Sequence, residues 1–126
     1  MNAYITRTGS FLPGDPVSNE ELSTFMGEQN PTHDVYDLAV LAAENCLGNG
    51  SHEIDHLSAG STNTPLIGPG ISSILHSRLA AHGLVSQPLE INSNSGICSA
   101  SAQSFVNSCR AIHCGDHSSA LCIGVE

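Results

Sequence analysis

The chain has no lysine and no tryptophan, only three arginines (Arg7, Arg78 and Arg110), and aromatics limited to three Phe and two Tyr. Against those three cations stand twelve acidic residues, a formal net charge of −9. Nucleic-acid backbones and anionic bilayers are bound through a basic face. Three scattered arginines cannot build one, so neither nucleic acid nor membrane is expected as a partner. The same shortage leaves few groups to neutralise an anionic cofactor. No apolar run approaches the roughly 20 residues of a membrane-crossing helix. The opening Met1-Asn2-Ala3-Tyr4-Ile5-Thr6-Arg7 lacks the basic-then-apolar order of a secretory leader. A cytoplasmic setting is the expectation. The five cysteines (Cys46, Cys98, Cys109, Cys114 and Cys122) are odd in number. That argues against a disulfide framework and for reduced thiols.

What is present suffices for one core. The 126 residues fit a single domain or part of one, since domains run to about 100–200 residues. Some 40% of them are apolar and the mean hydropathy is zero, so with few aromatics the core must be built from aliphatic and small side chains. Strand-like and helix-like segments alternate. Tyr4–Gly9 is predicted as a strand, followed by a turn over Phe11–Pro16. Ser18–Met26 is predicted as a short helix, with Ser18 and Glu21 placed as a capping box. Residues 35–47 repeat apolar positions at helical spacing and run into Gly48-Asn49-Gly50, a stop signal. Ile54–Ser58 is a strand candidate and Thr62–Gly70 a loop. Ile71, Ile74, Leu75 and Leu79 mark a helix stopping near Gly83. Pro88–Ser93 reads as a strand, Gly96–His113 as a helix and Ala120–Val125 as a final apolar strand. Such alternation predicts an α/β fold with a mostly parallel sheet flanked by helices.

The most informative stretch is Asn92-Ser93-Asn94-Ser95-Gly96-Ile97-Cys98-Ser99-Ala100-Ser101-Ala102-Gln103. It places Cys98 where a strand gives way to a helix. The free N–H groups and positive dipole end at a helix N-terminus favour a thiolate, the nucleophilic form of cysteine. The competing reading is a small buried hydrophobe.

Cys98-Ser99-Ala100 on a strand-to-helix turn resembles the nucleophile segment of thiolase-superfamily condensing enzymes, of the 3-oxoacyl-acyl-carrier-protein synthase III type. Downstream, Gly115 followed by Ala120-Leu121-Cys122-Ile123-Gly124-Val125-Glu126 is similar to the strand that follows the family's nucleophile helix. Upstream, Ile5–Pro13, Pro16-Val17-Ser18-Asn19-Glu20-Glu21-Leu22, Leu38–Glu44, Ala59-Gly60-Ser61-Thr62 and Pro69–Ser73 resemble successive pieces of its first half. The resemblance implies a thiolase-like layered fold, with residues 1–126 as its N-terminal half. It implies an acyltransferase in which Cys98 accepts an acyl group from a coenzyme A or acyl-carrier-protein thioester and condenses it with a malonyl-thioester. The N–H of Cys98 would be one oxyanion donor. It also implies a homo- or hetero-oligomer and no tightly bound cofactor. The family's catalytic His and Asn lie in its second half. A non-catalytic truncated paralogue or assembly subunit keeping the fold is therefore the alternative.

A third reading is a small metal-binding module. Cys109-x₃-His113-Cys114-x-Asp116-His117 offers ligand types that zinc accepts, but no paired knuckle, and a histidine near a helix C-terminus is favoured by the dipole alone. No metal site is expected. His33, His52, His56, His76 and His82 are expected to be solvated or hydrogen-bonded side chains. Glu20-Glu21 is read as a helix first turn, and Gly68-Pro69-Gly70 as a turn, since it lacks the Lys-Ser/Thr of a phosphate loop.

Overall fold

The computed structural model describes residues 2–15, 18, 21, 33–49, 52–64, 66–86 and 88–126. Its elements are α1 (Val35–Leu47), β1 (His56–Ser61), α2 (Ile71–Ala81), β2 (Glu90–Ser95), α3 (Ala100–Cys114) and β3 (Ala120–Gly124). The three strands form one parallel sheet in the order β2-β1-β3, as the alternating pattern requires. The connections through α2 and α3 run in opposite directions across the sheet. A common right hand for both crossovers then puts the two helices on opposite faces.

Helix α1 begins and ends for a chemical reason. At the start of α1 the Asp34 carboxylate accepts the Asp37 N–H at 2.7 Å, while the Asp37 carboxylate accepts the Asp34 N–H at 3.2 Å. This is a capping box with aspartate in both roles. At its end Gly48 has a φ of 69°, a conformation glycine adopts without steric cost. The Arg7 guanidinium donates to the Leu47 carbonyl at 2.8 Å, satisfying one of the acceptors that a helix C-terminus leaves open. Arg78 on α2 reaches back to Asp34 and Asp37 and lies 5.0 Å above the centre of the Tyr36 ring. Two of the three arginines are thus spent inside the fold.

One face of the sheet is apolar. Leu57 and Ala59 of β1 and Leu121 and Ile123 of β3 share a core with Tyr36, Val40 and Leu47 of α1 and Ile71, Leu75 and Leu79 of α2. The apolar positions of α1 recur three and four residues apart, the stripe of a one-sided helix. The Ser72 hydroxyl accepts the Ala59 N–H and donates to the Asn92 carbonyl, which ties α2 to the β1–β2 ladder.

The other face is polar and small, and α3 lies on it. Asn94 donates to the Asn92 side chain at 2.8 Å and to Ser104 at 2.9 Å, and Asn107 donates to both asparagine side chains at 3.1 Å. Ser58 joins the same network. Close approach is possible because Gly60 and Gly124 carry no side chain. A Cβ at Gly60 would stand 2.3 Å from the Ala100 carbonyl oxygen, and one at Gly124 would stand 2.7 Å from the Ser101 Cβ.

Helix bounds at 35–47 match expectation, and α2 runs from the expected Ile71 to just short of Gly83. Five readings are corrected. Tyr4–Gly9 forms no strand. It faces β3 across a shallow pocket and is anchored elsewhere, by Arg7 on Leu47 and by the Asn45 side chain on the Ser10 carbonyl at 2.7 Å. The first two predicted sheet strands begin at His56 and Glu90, two residues late in each case, and the third ends at Gly124. Helix α3 starts at Ala100 and not at Gly96. Of the predicted Ser18 helix, only its capping pair is described: Ser18 N–H donates to Glu21 at 2.8 Å and Glu21 N–H donates to the Ser18 hydroxyl at 3.3 Å. Residues 22–32 lie outside the described set.

Candidate functional site

In a parallel α/β sheet the strand-to-helix turns gather at the C-terminal edge, and that edge is where such folds place their ligands. Here it carries the β2–α3 turn with Cys98, the loop after β1, and the end of β3. Gly96 opens the turn with a φ of 125°, a value only glycine adopts readily. Ala100 N–H then donates to the Ile97 carbonyl at 2.8 Å, and Gln103 N–H to the Ser99 carbonyl at 2.9 Å, so α3 is under way one residue after Ser99. Cys98 lies immediately before that N-cap residue and is exposed. The buried-hydrophobe reading of this cysteine does not hold.

Ser99 occupies the N-cap but makes no side-chain bond to the first turn, which also lacks an acidic residue. The positive end of the α3 dipole is left without an internal anion, and an anion at or near Cys98 meets it favourably. On the same edge Glu126 accepts the Thr62 N–H at 3.0 Å and the Thr62 hydroxyl at 2.8 Å. That carboxylate closes the loop after β1 onto the end of β3. The loop itself carries Leu66 and Ile67 on the surface, the latter fully exposed.

The remaining cysteines differ from Cys98 in placement. Cys46 and Cys109 are half-buried within helices, and Cys114 is exposed at the end of α3. Cys122 is half-buried in β3, and burial pushes its thiol pKa up to about 11. Several histidines are occupied far from Cys98. His52 contacts the Leu47 carbonyl at 2.8 Å, His82 pairs with Glu44 at 2.7 Å, and His33 stacks edge-on against Phe11.

The Cys109–His117 grouping does not assemble. His117 turns away toward Asp55 and Glu90. Among the described residues, the one group of three or more His, Cys, Asp or Glu side chains close enough to share a cation is His56, Glu90 and His117. Its members lie at the N-terminal edge of the sheet, opposite Cys98. The expectation that His56 is solvated or hydrogen-bonded is therefore corrected: it is 3% exposed, and neither ring nitrogen has a hydrogen-bond partner. The sequence signal for this cluster was weak, because only strand register brings its members together. Comparison with family models finds no match, and no curated protein matches the chain.

Proposed function

We propose that the chain is the nucleophile-bearing part of a thiolase-like condensing acyltransferase, with Cys98 as the acyl acceptor. The observation that carries this reading is the placement of Cys98: exposed, on the β2–α3 turn at the C-terminal edge of a parallel sheet, just ahead of a helix whose first turn has no side-chain cap. The Cys98 thiolate would attack the carbonyl carbon of an acyl-thioester. A new carbon–sulfur bond forms to Cys98, the old one breaks, and the departing thiolate takes up a proton. The Cys98 N–H and the α3 first turn supply donors for the developing oxyanion. Condensation would follow once a histidine and an asparagine are supplied by further polypeptide: the malonyl-thioester loses carbon dioxide, the carbon so freed attacks the acyl carbonyl, and the bond to the Cys98 sulfur breaks to release the thiolate.

The test is intact-protein mass spectrometry after incubation with acetyl- and longer acyl-coenzyme A. The expected result is a single acyl adduct mapping to Cys98 and absent from Cys98→Ala. No adduct, or one on Cys114, overturns the reading.

One observation favours the second reading, a non-catalytic assembly subunit. Arg7 and Arg78 are engaged within the fold, which leaves little positive charge for the phosphates of coenzyme A or a carrier protein. In that case the exposed Leu66–Ile67 loop is the surface that engages a partner, and Cys98→Ala leaves assembly unchanged.

A further inference from the structure

We propose that His56, Glu90 and His117 form a binding site for a zinc-class divalent cation at the N-terminal edge of the sheet. This inference is independent of the role given to Cys98, which lies at the other edge.

The site follows from the parallel register. His56 and Glu90 are the first residues of β1 and β2 and are register partners. His56 is also the register partner of Ala120, the first residue of β3. The turn that closes α3 passes through Gly115 in the left-handed region, with a φ of 83°, and delivers His117 beside the other two. The two imidazole rings lie 5.0 Å apart, centre to centre. Glu90 reaches both, with 3.7 Å from its Oε1 to His56 Nδ1 and 3.3 Å from its Oε2 to His117 Nε2. Zinc–ligand bonds of about 2.0–2.2 Å in a tetrahedron place neighbouring donor atoms roughly 3.4 Å apart. The two observed separations run to different carboxylate oxygens, and one donor atom from each of the three residues lies within 4.8 Å of the other two.

The buried imidazole points to a ligand. His56 is sealed from solvent with both nitrogens unpartnered, and leaving a buried polar group unpaired costs about 1–3 kcal/mol. Burial, followed by the proximity of His117, holds its pKa below the ordinary histidine range, against the pull of Glu90 and Asp55. A cation would give one of its nitrogens a partner.

His117 has an orienting partner ready. Its Nδ1 lies 3.7 Å from Asp55 Oδ1, so Nε2 is the nitrogen turned toward Glu90. Asp55 is itself fixed, accepting the Ser118 N–H and hydroxyl, each at 2.8 Å, and the Ser119 N–H at 3.0 Å. A carboxylate behind a ligating histidine is the usual outer arrangement of zinc sites. Two imidazoles and one carboxylate suit zinc better than calcium or magnesium, which prefer oxygen. Three protein ligands leave a fourth position for water. The Glu90 side chain is 62% exposed, so the site is open to solvent on that side.

Cobalt(II) titration of metal-free protein tests the proposal, with zinc competition. The expected result is one equivalent bound, with visible absorption of a tetrahedral nitrogen–oxygen site and no thiolate charge-transfer band. Glu90→Gln and His117→Gln, both at the sheet rim, should weaken binding about tenfold or more. Asp55→Asn should weaken it by about 10–100-fold, the cost of losing an outer partner. Cys109→Ser with Cys114→Ser should leave binding unchanged. His56→Gln is read only if its circular dichroism is native, and the rim variants decide the question without it. No binding at millimolar cobalt, binding unchanged in folded Glu90→Gln and His117→Gln, or a thiolate band each overturns the site.

Discussion

Replacing Gly60 by alanine tests the claim that α3 is set on the sheet by backbone contact. Gly60 does not have a positive φ, so alanine is acceptable there on backbone grounds alone. The difficulty is space. The added Cβ would stand 2.3 Å from the Ala100 carbonyl oxygen, 2.5 Å from its carbon and 2.7 Å from the Ser104 hydroxyl, whereas ordinary contact begins at 3.4 Å. The start of α3 must therefore retreat by roughly 1 Å. Overpacking a tight interface typically costs about 1–3 kcal/mol, here with added damage to the hydrogen bonds of Ser104 and Asn94. Urea unfolding should show a lower midpoint with an unchanged slope, the signature of lost stability without a change in surface exposed. Cys98 alkylation should change too, because its turn moves with the helix. Two of the three close atoms belong to backbone, so Ser104→Ala should not rescue Gly60→Ala. A loss under 0.5 kcal/mol, or full rescue by Ser104→Ala, would show that the helix is not held where the backbone contact puts it.

Other outcomes follow from the same structure. Limiting iodoacetamide with peptide mapping should modify Cys98 first and Cys122 last, since Cys98 is exposed while burial holds the Cys122 thiol at a pKa of about 11; early labelling of Cys122 would contradict this. Desolvation raises the Asp34 pKa, but the Arg78 guanidinium and the Asp37 N–H outweigh it and hold the carboxylate below its ordinary 3.8. Its contribution is present above about pH 4 and is lost as pH falls through the lowered folded value. Arg78→Ala should reduce that acid sensitivity and cost only about 0.2–1 kcal/mol at neutral pH, as the paired side chains are 36% and 48% exposed; an equally steep acid profile in the variant would argue against the pairing. Among the described residues both β2 and β3 are sheet edges, and exposed edges invite pairing with another chain. Sedimentation at micromolar concentration is expected to show a dimer or larger species, and a clean monomer would count against it.

Helices α1 and α2 were legible because their signals are local. Asp34 and Gly48 bound one of them, Gly70 and Gly83 the other, and the apolar spacing lies between. The start of β3 at Ala120 was legible as well, but the starts of β1 and β2 were not, because they depend on partners. Ile54 looks like the first residue of β1, yet the ladder opens at His56, where Glu90 and Ala120 are aligned. Tyr4–Gly9 has strand-like residues, but its Arg7 is drawn to the end of α1. The start of α3 was blurred by the small residues 96–102, which carry no clear cap or apolar phase. The place of Cys98 between a strand and a helix was legible from its neighbours, but its exposure was not. The His56 cluster was not, since Glu90 and His117 are 27 residues apart and meet only through parallel register; the one local clue was a histidine opening a buried apolar strand.

The asparagine and serine layer beneath α3 has a mechanical consequence. A helix lying on leucines can slide by part of a turn and find new contacts of similar quality, because dispersion has no direction. The contacts of α3 are directional: Asn107 and Ser104 each meet a particular atom of Asn92 or Asn94. Any shift along the axis breaks several bonds at once and offers no equivalent set until a full turn, about 5.4 Å, has passed. The interface works as a toothed rack, not a bearing. Its stiffness passes to the turn just ahead of the helix, so the backbone at Cys98 is held against the strand ends by polar bonds made up to two turns along α3.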